Sequence, residues 1–249
     1  MRTMKKMISL ILVLAMLGAF ICSCDLIAKD PAELVSEADL ALQDKAYTMN
    51  MVIKYESEDE GMKAAIDSFS NPTIKTEVSG DAFRISMTFD KEGTENGVTY
   101  TYVDSVLYTE LSDFEFGVKK IETVEDFDSS DRDELLETLG AGATISIDDF
   151  ETLDTKSRGD VSVITCTDIK DEPLSALVSA LDERLGYLDA VVAIKNVTLA
   201  IQISDGLYEA TVLTCEYVIT TADAVYTLDM TYAAKFTYGD VSEITAPEF

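Results

Sequence analysis

Hydrophobic positions change period several times along this chain, and each change marks an element. Behind Asp30-Pro31-Ala32-Glu33, Leu34, Val35, Ala38, Ala41 and Leu42 recur at helical spacing to about Lys45. Asp30 can cap that helix, Pro31 suits its first position, and Glu33 completes a capping-box arrangement. From Tyr47 the period drops to two: Tyr47, Met49, Met51, Ile53 and Tyr55 face one way, and Thr48, Asn50 and Lys54 the other, with Val52 the exception. Met62, Ala65, Ile66 and Phe69 return to helical spacing ahead of Asn71-Pro72.

Strands dominate the rest. Gly80-Asp81 predicts a turn between strands Ile74–Val78 and Phe83–Phe89; in the latter, Phe83, Ile85, Met87 and Phe89 alternate with polar partners. Asn96-Gly97 reads as another turn, followed by Val98, Tyr100 and Tyr102 on one face and a turn at Asp104-Ser105 into Val106–Leu111. Residues 112–129 are acidic and irregular in pattern, and Leu135, Leu136 and Leu139 mark a short helix capped by Ser129 or Ser130 and ended near Gly140 and Gly142. Strands at Ile145–Leu153 and Val161–Thr167 meet through Arg158-Gly159-Asp160, and a helix starts at Pro173 and closes at Gly186. Asp205-Gly206 joins Val191–Ser204 to Leu207–Thr221. In the last strand Tyr226, Leu228, Met230, Tyr232, Ala234, Phe236 and Tyr238 share a face.

The fold class that follows is α+β: one large antiparallel sheet of about 9–11 strands, which must twist and curl. An incomplete barrel with the short helices packed on its concave face satisfies that pattern, as a single domain over 31–249. Met49, Met51, Ile53, Phe83, Ile85, Met87, Tyr100, Tyr102, Leu228, Met230 and Tyr232 are the expected lining of the concavity. Methionine and tyrosine fill irregular space adaptably, so this face can enclose an apolar ligand or form a plain core under the helices.

The N-terminus adds an address. Arg2, Lys5 and Lys6 precede the uncharged run that includes Ile8, Leu10, Ile11, Leu12, Val13, Leu14, Met16 and Leu17, and Ile21-Cys22-Ser23-Cys24 closes it. This is the layout of a bacterial lipoprotein signal peptide over 1–23, with Cys24 as the lipid-accepting residue. Choosing Cys22 instead would put bulky Ile21 where a small residue is needed. An uncleaved anchor or cleavage without lipidation would use the same run, but it is shorter than the roughly 20 residues a spanning helix needs. Residues 24–30 then form a tether of at most ~20 Å. The expected location is the outer face of the cell membrane, held by the lipid.

Composition narrows the chemistry. The 249 residues carry 19 Lys+Arg against 47 Asp+Glu, net −28; loss of residues 1–23 removes three bases and no acid, leaving −31. Such a surface repels phosphate backbones, so nucleic acid is excluded as a partner. There is no His, which removes the usual general base and the commonest metal ligand, and no cofactor or metal is expected. Asp126, Asp128, Ser130, Glu134 and Glu137 match positions 1, 3, 5, 9 and 12 of a calcium loop, but Asp131 stands where the turn requires glycine. An acidic helix N-terminus explains them better. Cys166 and Cys215, in strands outside the cytoplasm, form a possible disulfide or remain two separate buried thiols. Asn196-Val197-Thr198 matches a glycosylation acceptor pattern, which means little in a bacterial cell.

The order of elements resembles exported bacterial lipoproteins of the LolA/LolB and LppX/LprG-like half-barrel type. The likeness lies in a helix at the mature N-terminus, Tyr47-Thr48-Met49-Asn50-Met51, the hairpin Gly80-Asp81-Ala82-Phe83-Arg84-Ile85-Ser86-Met87, and Val98-Thr99-Tyr100-Thr101-Tyr102-Val103-Asp104 followed by Val106-Leu107-Tyr108. The resemblance implies a non-enzymatic carrier of lipid or acyl chains in the concave cavity, and it brings no catalytic residues. The competing expectation is an envelope interaction module with a filled core, its protein partner unknown. A carboxylate-dependent hydrolase stands third.

Overall fold

The computed structural model describes residues 30–68, 72–91, 94–113, 118–136, 145–185, 190–239 and 241–248. The expected signal peptide, Cys24 and most of the expected tether lie outside these residues, as do Phe69, Glu137, Leu139, Gly140, Gly142 and Gly186.

Eleven strands make one antiparallel sheet in the order β6-β5-β4-β3-β2-β1-β11-β10-β9-β8-β7, left open rather than closed into a barrel. The strands are β1 Tyr47–Glu56, β2 Pro72–Ser79, β3 Ala82–Lys91, β4 Thr94–Val103, β5 Val106–Asp113, β6 Val118–Val124, β7 Phe150–Arg158, β8 Val161–Ile169, β9 Val191–Ser204, β10 Leu207–Thr220 and β11 Val225–Tyr238. Two meanders, β1 to β6 and β7 to β11, are therefore joined side by side where β1 pairs with β11. Among the described residues there are four α-helices: α1 Pro31–Asp44, α2 Glu60–Ser68, α3 Ser129–Leu135 and α4 Asp171–Leu185. This is the α+β, open-sheet architecture that the pattern predicts.

Turn chemistry sets the registers. Asp104-Ser105 and Asp205-Gly206 both have positive φ at two successive residues, the requirement of a tight hairpin turn whose twist matches its strands. The pairs Phe83↔Tyr102, Ile85↔Tyr100 and Met87↔Val98 then fall on the face shared by Met49 and Met51. Phe83, Met51 and Ile85 are fully buried there, each worth about 1.5–3 kcal/mol of burial. Phe83 stacks on Tyr102 at 5.6 Å, and Phe127 from the β6–β7 crossover leans on Tyr102 at 5.9 Å. On this concave side α1 packs against β9 and β10, and α4 against β9. The opposite face carries Lys75, Glu77, Arg84, Ser86, Thr99 and Lys235, crossed by residues 241–248, whose Ile244 is buried.

Several expectations are corrected. Asn96-Gly97 is no turn: both lie inside β4, where Gly97 lets the Met87 carbonyl approach to 2.6 Å of the point a Cβ would occupy. Residues 118–124 of the stretch read as irregular form edge strand β6; of its described side chains Ile121 is half-buried and Glu122, Thr123 and Val124 are exposed, with no apolar alternation among them. Residues 145–149 are not strand; Ser146 and Asp149 cap one short 3-10 turn, Ile147–Asp149, before β7 begins at Phe150. Asp128, not a serine, caps α3, its carboxylate accepting from the backbone N–H of Ser130 at 2.7 Å and Asp131 at 2.9 Å.

Candidate functional site

A cavity of about 260 Å³ lies between α1, the segment Ile145–Ile147 and strands β1, β9, β10 and β11. Its walls are apolar: Val35 and Leu42 from the helix, Ile145 and Ile147 from the crossover, and Met49, Leu199, Ile201, Leu213 and Phe236 from the sheet. The polar lining consists of the hydroxyls of Tyr47, Tyr208, Tyr232, Ser146 and Thr211 and one carboxylate, Asp39. Helical spacing puts Val35, Asp39 and Leu42 on one face of α1. Asp39 is exposed at the rim and accepts a 2.7 Å hydrogen bond from the buried Tyr208 hydroxyl. Tyr208 packs on Phe236 with ring centroids 5.6 Å apart.

Burial holds these phenols protonated. It pushes Tyr47 up to about 12 and raises Tyr232, while Tyr208 is raised by burial first and then by its bond to Asp39. None can act as an acid or base near neutrality; the cavity offers shape, apolar surface and a few hydrogen-bonding groups.

Of the eleven residues expected to line the concavity, Met49 and Tyr232 line this cavity. Met51, Phe83, Ile85, Tyr102 and Met230 are instead buried in the packed core, and Ile53, Met87, Tyr100 and Leu228 are half-buried away from it. The described cavity thus lies over β9–β11 and the start of β1, whereas Met51, Phe83, Ile85 and Tyr102 are packed core. Asp39, Tyr208 and the Ile145–Ile147 wall escaped the sequence reading, although a carboxylate set between Val35 and Leu42 on an apolar helical face was a legible sign.

Cys166 and Cys215 are free and buried. Strand β9 separates their strands and Leu213, not Cys215, lies in register with Cys166, which puts the two at least two strand spacings, about 9–10 Å, apart and beyond the roughly 7 Å a disulfide spans. The possible bridge between them does not form. Burial pushes the Cys166 thiol up to about 11 and raises that of Cys215, leaving neither as a ready nucleophile. Among the described residues no group of three or more acidic or sulfur ligands is placed to hold a metal, and the calcium-loop residue Asp128 is occupied as a helix cap. A second cleft, about 430 Å³, lies on the convex side between Thr245–Glu248 and Arg84, Ser86, Thr99, Thr101 and Glu110; its walls are polar. Among the described residues no helix is long and apolar enough to cross a membrane.

Fold and site together define a class: an α+β protein whose open eleven-stranded antiparallel sheet encloses a small apolar cavity under its first described helix. No protein-family model matches the chain, and no curated protein matches it. Among solved structures it is similar to the ywiB protein from Bacillus subtilis at 8% identity and a TM-score of 0.18, over 77% of this chain and 91% of that one. It is also similar to MucB in complex with MucA(peri), at 10% identity and a TM-score of 0.11, over 84% and 94%. At those scores neither likeness carries an argument about what this chain does.

Proposed function

We propose that this chain is a non-enzymatic lipoprotein, anchored through Cys24 outside the cytoplasm, that holds an apolar ligand or acyl chain in the cavity beneath α1. The observation that carries the reading is the cavity's lining, nine apolar side chains around a single carboxylate. A space of about 260 Å³ exceeds the roughly 150 Å³ that accommodates a benzene ring in an engineered core, yet falls short of the roughly 300–1,000 Å³ of drug-sized pockets. It suits one short alkyl chain or ring, with the remainder of a larger molecule outside. Mass spectrometry of organic extracts from protein purified from its native membrane tests the proposal. A single-chain amphiphile near one equivalent is expected; protein that is empty in repeated preparations would refute it.

The second reading is an envelope interaction module, favoured by the full burial of Met51, Phe83 and Ile85 on the concave face. One stoichiometric protein partner recovered with no lipid would support it instead. The anchor has its own test: a Cys24→Ala chain should lose its membrane association, and full retention in the membrane fraction would remove the lipid from the proposal.

A further inference from the structure

Resting on the ligand-binding reading above, we infer that the cavity selects amphiphiles whose polar end is cationic or donates hydrogen bonds, and rejects those with an anionic end. The cavity has one charged side chain among its described lining residues, Asp39, and it stands at the rim. An apolar tail filling the space under α1 would therefore leave its head against this carboxylate. Recognition of an anionic head needs Lys, Arg or converging backbone N–H groups. No described Lys or Arg lines the cavity, and its remaining polar side chains are hydroxyls.

One of those hydroxyls is already engaged in a way that favours a donor head. Tyr208 spends its proton on Asp39, fixing the carboxylate at the rim with lone pairs still open to a ligand. The surrounding field has the same sign, since the chain carries −28 overall.

The test uses three ligands with one tail: decylammonium, decanol and decanoate, titrated calorimetrically into the purified chain below their micelle-forming concentrations. Decylammonium should bind most tightly and decanoate least, with about tenfold or more between them. Asp39→Asn should bring those two within about threefold of each other and leave decanol nearly unchanged, because the tail's cavity is intact. Methyl NMR shifts at Leu42 and Leu213 should follow decylammonium binding and place the tail between helix and sheet.

Decanoate binding as tightly as decylammonium would overturn the inference while leaving the cavity reading standing. A preference that survives Asp39→Asn would also overturn it, by assigning the selectivity to bulk negative charge. Failure of decanol and decylammonium alike to bind would sink the ligand-binding reading itself, and this inference with it.

Discussion

Replacing Tyr208 with Phe removes one oxygen from the cavity rim and nothing else. The ring stays packed on Phe236, and the 2.7 Å hydrogen bond to Asp39 is lost. Hydrogen bonds to charged groups contribute about 1.5–3 kcal/mol, but that range applies when the abandoned partner is left without water. Asp39 is exposed, so water replaces the lost donor, and Phe avoids the cost of burying a hydroxyl. The expected loss is therefore about 1 kcal/mol, or about 2–4 °C in Tm for a domain of this size. Urea denaturation followed by circular dichroism would register it as a lower midpoint with an unchanged slope. The decisive measurement is the double-mutant cycle: Asp39→Ala should cost about 1 kcal/mol in the parent and almost nothing in the Tyr208→Phe background. A coupling below about 0.3 kcal/mol would mean that the pair does not form and would take the carboxylate away from the cavity rim.

Three further outcomes follow from other parts of the sheet. Gly97→Ala places a Cβ 2.6 Å from the Met87 carbonyl, so it should destabilise by about 1–3 kcal/mol despite standing in a strand where alanine is otherwise tolerated, seen as a lower urea midpoint. Phe83→Ala, at the stacked and fully buried pair with Tyr102, should cost about 3–5 kcal/mol in the same assay; a loss under about 1 kcal/mol would mean that the concavity over β1–β4 is not tightly filled. Alkali should unfold the protein. Tyr47 is raised from 10.0 to about 12 and Cys166 from 9.0 to about 11, so their contribution is complete below about pH 9 and lost as pH climbs through 11 to 12. Each two-unit shift corresponds to about 2–3 kcal/mol at most, and a urea midpoint unchanged between about pH 8 and pH 11 would contradict the burial of these groups.

What the sequence disclosed depended on whether each element has one dry face. β1 and β11 were readable because Tyr47, Met49 and Met51 alternate with wet neighbours, and β11 repeats the pattern from Tyr226 to Tyr238. β6 was not, since among its described side chains Glu122, Thr123 and Val124 are exposed and Ile121 is only half-buried; an edge strand of this kind is held by its backbone pairing to β5. Gly97 was misread because glycine serves two needs, positive φ and close approach, and its sequence context does not say which. The cavity was misplaced for a tertiary reason. Aromatic and methionine side chains from β1, β3, β4 and β11 marked the concave face correctly, but where that face is hollow depends on where α1 and Ile145–Ile147 come to rest. No periodicity records that. Asp39 also went unread, although a charged residue between Val35 and Leu42 on an apolar helical stripe is a signal the sequence carries.

The pairing of β1 with β11 has a consequence for connectivity. Read across the sheet, the strands run β7 to β11 and then β1 to β6, which is chain order rotated by one cut. The beginning of β1 and the end of β11 lie side by side, Tyr47 against Tyr238, with the Gly239 N–H donating to the Ala46 carbonyl at 3.0 Å. A circular permutant, with its ends fused and a new start opened between Val124 and Phe150, would keep every strand pair and make each one a contact between sequence neighbours. The long-range closure that the natural chain must make, bringing its first strand to its last, would become a local connection through α1.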